Sequence, residues 1–491
     1  MSVYFGIKKK SYETHEDRIG NGGEGSIYTL VNNKEQVAKL YKEQYRTKNR
    51  EEKLLTMIQY NLSDEQLKQV VWPQDILYDN NQFVGYIMPI LKNTSSLIEV
   101  YSSSLFDLRH RILVAYNLCI AINTVHNMGQ VCGDLNPLNI CVNLDENDKD
   151  NLFKVTLIDT DSFHITASNR TYRCEVGLGD YLAPELQRKL KNGDNLKTIE
   201  LPTYTKETDL FAVAVHIFYL LMNGCHPYAC AKENNRMVSN IDQFVGTNVN
   251  QSVVAPQPID NIGDGFFPFV EKREGITIPI YAPEFESLPL NIRKLFIRTF
   301  IEGYSEPKKR VSIDEWITAL YGIVNSISRC NYNSRHYYFS HNNQCPLCEI
   351  DKNINSFFEK NDFGSSVPNN NDAVSDNTVA PDNNSNSTSE SNDDQNSQEG
   401  LSLGCEIIIL AIILIIMTIL IYSCTQVVNA ENVYDYSNAE VIKQDVNYDE
   451  NVYDINIDFE ENEYIEDDVN IDFEESEYKE DDVIYVVNLR L

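Results

Sequence analysis

The chain has 491 residues and a formal net charge of −32, which is too long for one hydrophobic core and implies two or more units. The charge is uneven: residues 1–350 carry 41 acidic and 36 basic side chains, whereas residues 425–491 carry 21 acidic and 3 basic ones. The front is nearly neutral, and the acidic end is excluded as a nucleic-acid surface because it would repel phosphates.

Eleven cysteines, with Cys345 and Cys348 the one obvious close pair, suit a reducing compartment better than a disulfide framework. The first residues, Met1 to Lys8, lack the apolar stretch of a secretory signal. The front is therefore expected in the cytosol.

Residues 1–90 read as short strands with one helix. Gly20-Asn21-Gly22-Gly23-Glu24-Gly25 has the G-x-G-x-x-G spacing, where missing Cβ atoms let backbone amides approach phosphate oxygens. A dinucleotide fold would continue into a helix. Here a strand pattern follows instead, Val37-Ala38-Lys39-Leu40-Tyr41, and Lys39 offers a point charge for α- and β-phosphates. A helix pattern over Arg50 to Tyr60 then places Glu51 and Glu52 where a carboxylate could orient Lys39 by ion pairing. Glu51 is favoured, because Leu54 and Leu55 follow it at three and four residues. Phe83 to Met88 reads as a further strand.

Residues 105–128 form a dense apolar helix pattern ending near Gly129. Next comes Val131-Cys132-Gly133-Asp134-Leu135-Asn136-Pro137-Leu138-Asn139-Ile140, and then an apolar strand, Val155 to Ile158, runs into Asp159-Thr160-Asp161. A lone Asp, an Asn five residues on and a second Asp after a hairpin-sized gap suit a site that positions a hydroxyl and holds metal-bound ATP. Asp161 remains an alternative to Asp159 as metal ligand. Further along stand Ala183-Pro184-Glu185, a helix pattern over Thr208 to Met222 containing Asp209, His226-Pro227-Tyr228, and Arg310.

These elements, in this order, resemble the eukaryotic-like protein kinases over roughly residues 15–322. The resemblance implies an α+β, bilobal protein-kinase-like fold, with a small β-rich lobe over 1–90 and a larger helical lobe over 91–326. It implies ATP and Mg²⁺ as cofactors, with Gly20, Gly22, Gly25 and Lys39 at the phosphates and Glu51 behind Lys39. Asp134 aligns the acceptor hydroxyl, and Asn139 and Asp159 hold the metal. Glu185 pairs with the late arginine, Arg310, and Asp209 braces the catalytic loop.

Departures accompany the match. Cys132-Gly133 replaces the His-Arg before the catalytic Asp, so a phosphorylated activation loop lacks a partner there. Asn136 stands where serine/threonine kinases usually have Lys, Thr160-Asp161 replaces Phe-Gly, and Leu178 stands in place of a Thr. The G-D-L-N-P-x-N and I-D-T-D-S-F pair resembles a divergent, mostly bacterial branch of the superfamily. Two functions follow: a membrane-anchored protein kinase acting on Ser or Thr rather than Tyr, or a pseudokinase scaffold that binds nucleotide or partners without transfer.

Beyond this region, Cys330, His336, His341 and Cys345-Pro346-Leu347-Cys348 offer a tetrahedral Zn²⁺ knuckle over 327–350. Spacing favours Cys330, His336, Cys345 and Cys348, with His341 competing for the fourth place. Four closing ligands leave no open position, so such a zinc is structural.

Residues 351–402 are rich in Asn, Ser and Asp and read as a disordered linker. Residues 407–422 are uncharged and apolar. Extended to 403–424 they make a helix of about 33 Å, enough for the roughly 30 Å hydrocarbon core; a buried core helix is the plainer alternative. A single span would put the acidic tail, 425–491, on the opposite side from the kinase region. In that tail Asn456-Ile457-Asp458-Phe459-Glu460-Glu461 recurs as Asn470-Ile471-Asp472-Phe473-Glu474-Glu475. Two copies are too few for a solenoid, so the tail reads as a solvated spacer.

Overall fold

The computed structural model describes residues 1–103, 106–168, 170–233 and 255–360. The span at 403–424, the repeat-bearing tail and most of the linker lie outside these residues. Among the described residues no helix is long and apolar enough to cross a membrane.

The first lobe is a closed antiparallel barrel of β1 (Ser2–Phe5), β2 (Ser11–Asn21), β3 (Gly25–Leu30), β4 (Asn33–Tyr41), β5 (Asp75–Asp79) and β6 (Gln82–Pro89). Its strand order is β1-β2-β3-β4-β6-β5, closed by Phe5 opposite Tyr78. Strand alternation sends Val37 and Tyr41 into the main core, while Ala38 packs with Leu77, Val84 and Ile87. Lys39 therefore sits within a strand whose neighbours are core residues.

The helix α1 (Lys48–Ile58) starts where the Thr47 side chain accepts the Arg50 amide at 3.2 Å. It buries Lys53, Leu54 and Met57. Trp72 is fully buried beside it and donates its indole N–H to the Met57 carbonyl at 2.8 Å.

The second lobe is built on two long helices. Leu108–Asn127 opens with a capping box on Asp107, and Lys206–Leu221 buries nearly every side chain it has, including Asp209 and His216. A helix apolar all round belongs at the centre of a core, and this one packs against Leu108–Asn127. Phe218 sits in an aromatic cluster with Phe267, Phe269, Phe296 and Phe300.

A three-stranded sheet, β7 (Thr94–Ser96), β8 (Ile140–Asn143) and β9 (Val155–Leu157), carries the loops of the site. The two lobes are joined there: Val71 donates its amide to the Leu157 carbonyl at 2.8 Å, and Leu157 donates to Gln69 at 2.8 Å.

One boundary needs correction. The linker was expected from residue 351, but a helix spans Pro346–Lys360. Ile350 is buried on it, and the helix continues through residues that composition alone assigns to the linker.

Candidate active site and metal knuckle

The flap comes first. β2 and β3 meet at the glycine run, and the turn closes with the Gly22 amide donating to the Gly25 carbonyl at 2.8 Å. A Cβ at Gly25 would lie 2.4 Å from the Leu40 carbonyl oxygen, so only glycine lets β3 approach β4 there. Glu24 of this turn is held by Arg50 of α1 at 2.6 and 2.8 Å, and the guanidinium lies over the Tyr41 ring at 4.7 Å.

Lys39 is 3% exposed, and its ammonium reaches Asp159 Oδ1 at 2.7 Å and Asp161 Oδ1 at 2.8 Å. The two acids are not equivalent. Asp161 is sealed: its side chain is 1% exposed, with Tyr41 donating at 2.5 Å and Tyr86 at 2.9 Å. Burial pushes its pKa up, but Lys39, Arg50 and the Lys39 and Tyr41 hydrogen bonds outweigh that and hold it well below the carboxylate range. Asp159 keeps a 21% exposed side chain. Burial and the Asp161 charge raise its pKa against the opposing pull of Lys39. It adopts φ 55°, ψ 35°, a left-handed conformation that Asp tolerates better than most residues. Asp159 thus keeps the more exposed carboxylate of the two.

The sequence expectation for Glu51 is corrected here. Glu51 accepts a hydrogen bond from Tyr78 at 2.8 Å, and the carboxylates that meet Lys39 are Asp159 and Asp161. The helical phase explains it: the buried stripe runs through Lys53, Leu54 and Met57, which turns Glu51 toward β5. Asp161, the alternative metal ligand in the sequence, also contacts Lys39, at 2.8 Å.

The catalytic loop is fixed from below. Buried Asp209 accepts the amides of Cys132 at 2.8 Å and Gly133 at 2.9 Å, and lies 2.9 Å from His126 Nε2. Gly133 has φ +84°, and a Cβ there would lie 2.9 Å from Cys174. The replacement of the usual Arg by glycine is therefore built into this backbone.

Asp134 follows, 9% exposed, receiving Asn136 Nδ2 at 2.8 Å, Asn139 Nδ2 at 3.3 Å and the Leu178 amide at 3.3 Å. Burial is the main reason its carboxyl is pushed up to about 6, with the Asp159 charge adding and these hydrogen bonds opposing. Asn136 also accepts the Leu138 amide at 3.0 Å, so the residue in the usual lysine position orients Asp134. Asn139 is tied to the metal loop through its carbonyl, which accepts the Ile158 amide at 2.9 Å.

Lys39 of the first lobe thus meets Asp159 of the second, whose charge is felt at Asp134 and which itself senses Glu24 of the glycine turn; Asn139 joins them through Asp134. The protein kinase domain model matches residues 12–321. The chain belongs to the protein kinase family. It is 26% identical over 352 residues to Protein kinase YegI of Escherichia coli strain K12, covering 68% of this chain and 48% of that protein. The YegI of Escherichia coli O157:H7 gives the same identity and coverage. The chain spans about half the length of these curated relatives. Among solved structures, it is similar to the autoinhibited serine kinase domain of the giant muscle protein titin, with 15% identity and a TM-score of 0.44, covering 66% of this chain and 83% of that one.

Within the kinase domain, the late arginine and the A-P-E glutamate form a bidentate pair, Arg310 to Glu185 at 2.9 and 2.6 Å. His226 Nε2 lies 3.0 Å from the Asp180 carbonyl and its Nδ1 accepts the Tyr228 amide, pinning the segment before A-P-E to the turn after the central helix.

The partners of Lys39, Asp159 among them, escaped the sequence reading, though for the tyrosines a signal existed. Tyr41 lies two residues from Lys39 on β4, and Tyr86 is its register partner on β6; period-two alternation puts all three on one face.

Cys330, His336, Cys345 and Cys348 converge beyond the kinase domain, with ligand atoms all within 4.8 Å of one another. Cys330 and Cys348 sulfurs are 3.5 Å apart, and His336 Nδ1 lies 3.4 Å from Cys348 Sγ and 3.7 Å from Cys345 Sγ. A tetrahedral zinc with Zn–S of about 2.3 Å and Zn–N of about 2.0 Å separates its ligands by roughly 3.5–3.8 Å, so the set fits such an ion. His341, the competing ligand, instead sits 3.2 Å from the Glu286 carbonyl. The knuckle packs on the kinase domain through Asn342, which donates to the Ser287 carbonyl at 2.9 Å, and through Arg109 over the Tyr337 ring at 3.8 Å.

Proposed function

We propose that this chain is an ATP-dependent protein kinase that transfers the γ-phosphoryl group to a protein hydroxyl, of Ser or Thr rather than Tyr. The observation that carries the reading is the convergence of Lys39 and Asp159, 2.7 Å apart, with Asp134 and Asn139 under one glycine flap. Asn139 and Asp159 would hold Mg²⁺, and the flap amides with Lys39 would hold the phosphates. Bound magnesium supplies charge neutralisation on the transferring group. The protein's own part is positioning: Asp134 aligns the acceptor hydroxyl and takes its proton, fixed by Asn136 and the Leu178 amide. The scaffold reading is weakened, because Gly133 and Asn136 have structural work in a site that keeps Lys39, Asp134, Asn139 and Asp159.

Thermal unfolding tests the nucleotide site directly. ATP with Mg²⁺ is expected to raise Tm by several degrees, and ATP with EDTA by much less, since ligands that bind only the native state stabilise it by mass action. Transfer of label from γ-labelled ATP to a generic protein substrate or to the chain itself completes the test. Equal shifts with and without metal, and no transfer, would sink the proposal.

The Cys/His cluster is proposed as a structural Zn²⁺ site. Purified chain is expected to carry about one zinc per molecule by elemental analysis. Cys348→Ser should lose most of it and make the 327–350 segment sensitive to protease, whereas His341→Ala should keep it.

The apolar run 407–422 supports a single membrane span at 403–424, with the kinase domain on the cytoplasmic side and the acidic tail on the other. The tail's charge fits a solvated spacer outside the membrane.

A further inference from the structure

In the family this chain belongs to, the strand lysine is oriented by a glutamate of the following helix. Here that helix turns cations toward the cleft. Arg50 reaches Glu24 of the flap, and Lys53 is 6% exposed, while Glu51 is taken by Tyr78. Burial lowers the Lys53 amine to about 8, and Asp161 and Cys174 are among the charges it senses. An added carboxylate partner for Lys39 comes from elsewhere, two residues beyond the metal-facing acid.

We infer that Asp161 is the positioning residue for Lys39, doing from the metal loop the work that a helix glutamate does in relatives. Three observations support it. Both of its oxygens are engaged: Oδ1 by Lys39 and Tyr86, Oδ2 by Lys39 at 3.1 Å and Tyr41. Its side chain is sealed from solvent, while Asp159, which also meets Lys39 at 2.7 Å, keeps a fifth of its own exposed, so Asp161 serves the lysine and Asp159 keeps a face open to a metal. The two tyrosines flank the lysine, 5.7 and 5.9 Å from its ammonium to their ring centroids, so the carboxylate and the ammonium are locked by the same β4 and β6 side chains.

The consequence concerns control. Where a helix supplies the carboxylate, swinging that helix breaks the ion pair and switches the enzyme off. With Asp161, the carboxylate partner of Lys39 and the metal-facing acid lie on one loop, which the Thr160 hydroxyl ties to the Val71 carbonyl at 2.6 Å. The helix α1 then acts on the flap instead, through Arg50 and Glu24.

This inference rests on the kinase reading, and the experiment separates the two. Asp161→Asn, Asp159→Asn and Glu51→Gln are compared with the unaltered full chain in two assays. The first is steady-state transfer from γ-labelled ATP at varied Mg²⁺. Asp161→Asn is expected to lower kcat about 10²-fold with an unchanged apparent Mg²⁺ requirement, Asp159→Asn to raise that requirement, and Glu51→Gln to stay within about twofold of wild type. The second needs no activity: acylation of Lys39 by an amine-directed reagent, read by mass spectrometry at pH 8. With one of its carboxylate contacts removed the amine is held less tightly, so labelling should rise in Asp161→Asn and stay unchanged in Glu51→Gln. Unchanged labelling and rate in Asp161→Asn, or a matching defect in Glu51→Gln, overturns the assignment. An inactive wild-type chain would refute the kinase reading alone, and the labelling pattern would still decide the role of Asp161.

Discussion

Replacing Asp134 with asparagine is expected to lower kcat for phosphoryl transfer by about 10²–10⁴-fold, the range set by loss of a positioned general base. The side chain would still fill the same space, so the change isolates charge and proton acceptance from shape. Asp134 receives three donors, Asn136 Nδ2, Asn139 Nδ2 and the Leu178 amide. A carboxylate has lone pairs for all three, whereas an asparagine turns its NH₂ toward at least one of them. That mismatch costs on the order of 1 kcal/mol of stability, a small effect beside the kinetic one. In the proposed mechanism Asp134 acts on the reacting hydroxyl and not on the nucleotide, so kcat and kcat/KM for ATP should fall together. Steady-state transfer from γ-labelled ATP measures the first effect and thermal unfolding the second. Label incorporation matching that of wild type would remove Asp134 from the mechanism.

The parts of this site legible in the sequence are those whose geometry is local. Asp134 and Asn139 are five residues apart, with Pro137 opening a 3₁₀ turn between them, so their convergence follows from one short segment. Asp159 follows from an apolar strand that can run only into the cleft. The knuckle was legible for a related reason, since thiols and imidazole at close spacing have few other uses. The neighbours of Lys39 were not legible. Asp161 is 122 residues away from it, and that contact depends on how β4, β6 and the metal loop meet. Helix α1 misled through its phase. Leu54 and Leu55 after Glu51 suggested an inward glutamate, but the inner stripe is Lys53, Leu54 and Met57, with Leu55 only partly buried. Two positions on that helix, Arg50 and Lys53, carry cations, the first held by Glu24 and the second buried; a pattern based on hydrophobicity counts such residues as solvent-facing.

Glu185→Ala is expected to cost about 3–5 kcal/mol of stability, the usual consequence of removing one partner from a buried ion pair. The asymmetry of the pair sets the direction. The Arg310 side chain is 0% exposed, whereas Glu185 keeps a quarter of its side chain in solvent. Removing the glutamate therefore leaves a guanidinium that cannot reach water, held only by the carbonyls of Gly303 at 3.1 Å and Glu207 at 2.8 Å. Removing the arginine instead leaves a carboxylate that can hydrate, so Arg310→Met should cost less. The double variant should be more stable than Glu185→Ala alone, because no buried charge is left without a partner. Arg310→Lys with Glu185 intact should fall short of wild-type stability, since an ammonium cannot reproduce two parallel bonds to one carboxylate. Calorimetric Tm values on the four proteins decide this: the Glu185→Ala domain should melt on the order of 10 °C below wild type, with the double variant between them. A Glu185→Ala protein as stable as wild type would mean that the segment bearing Ala183-Pro184-Glu185 is held by His226 and the Asp180 carbonyl, not by this ion pair.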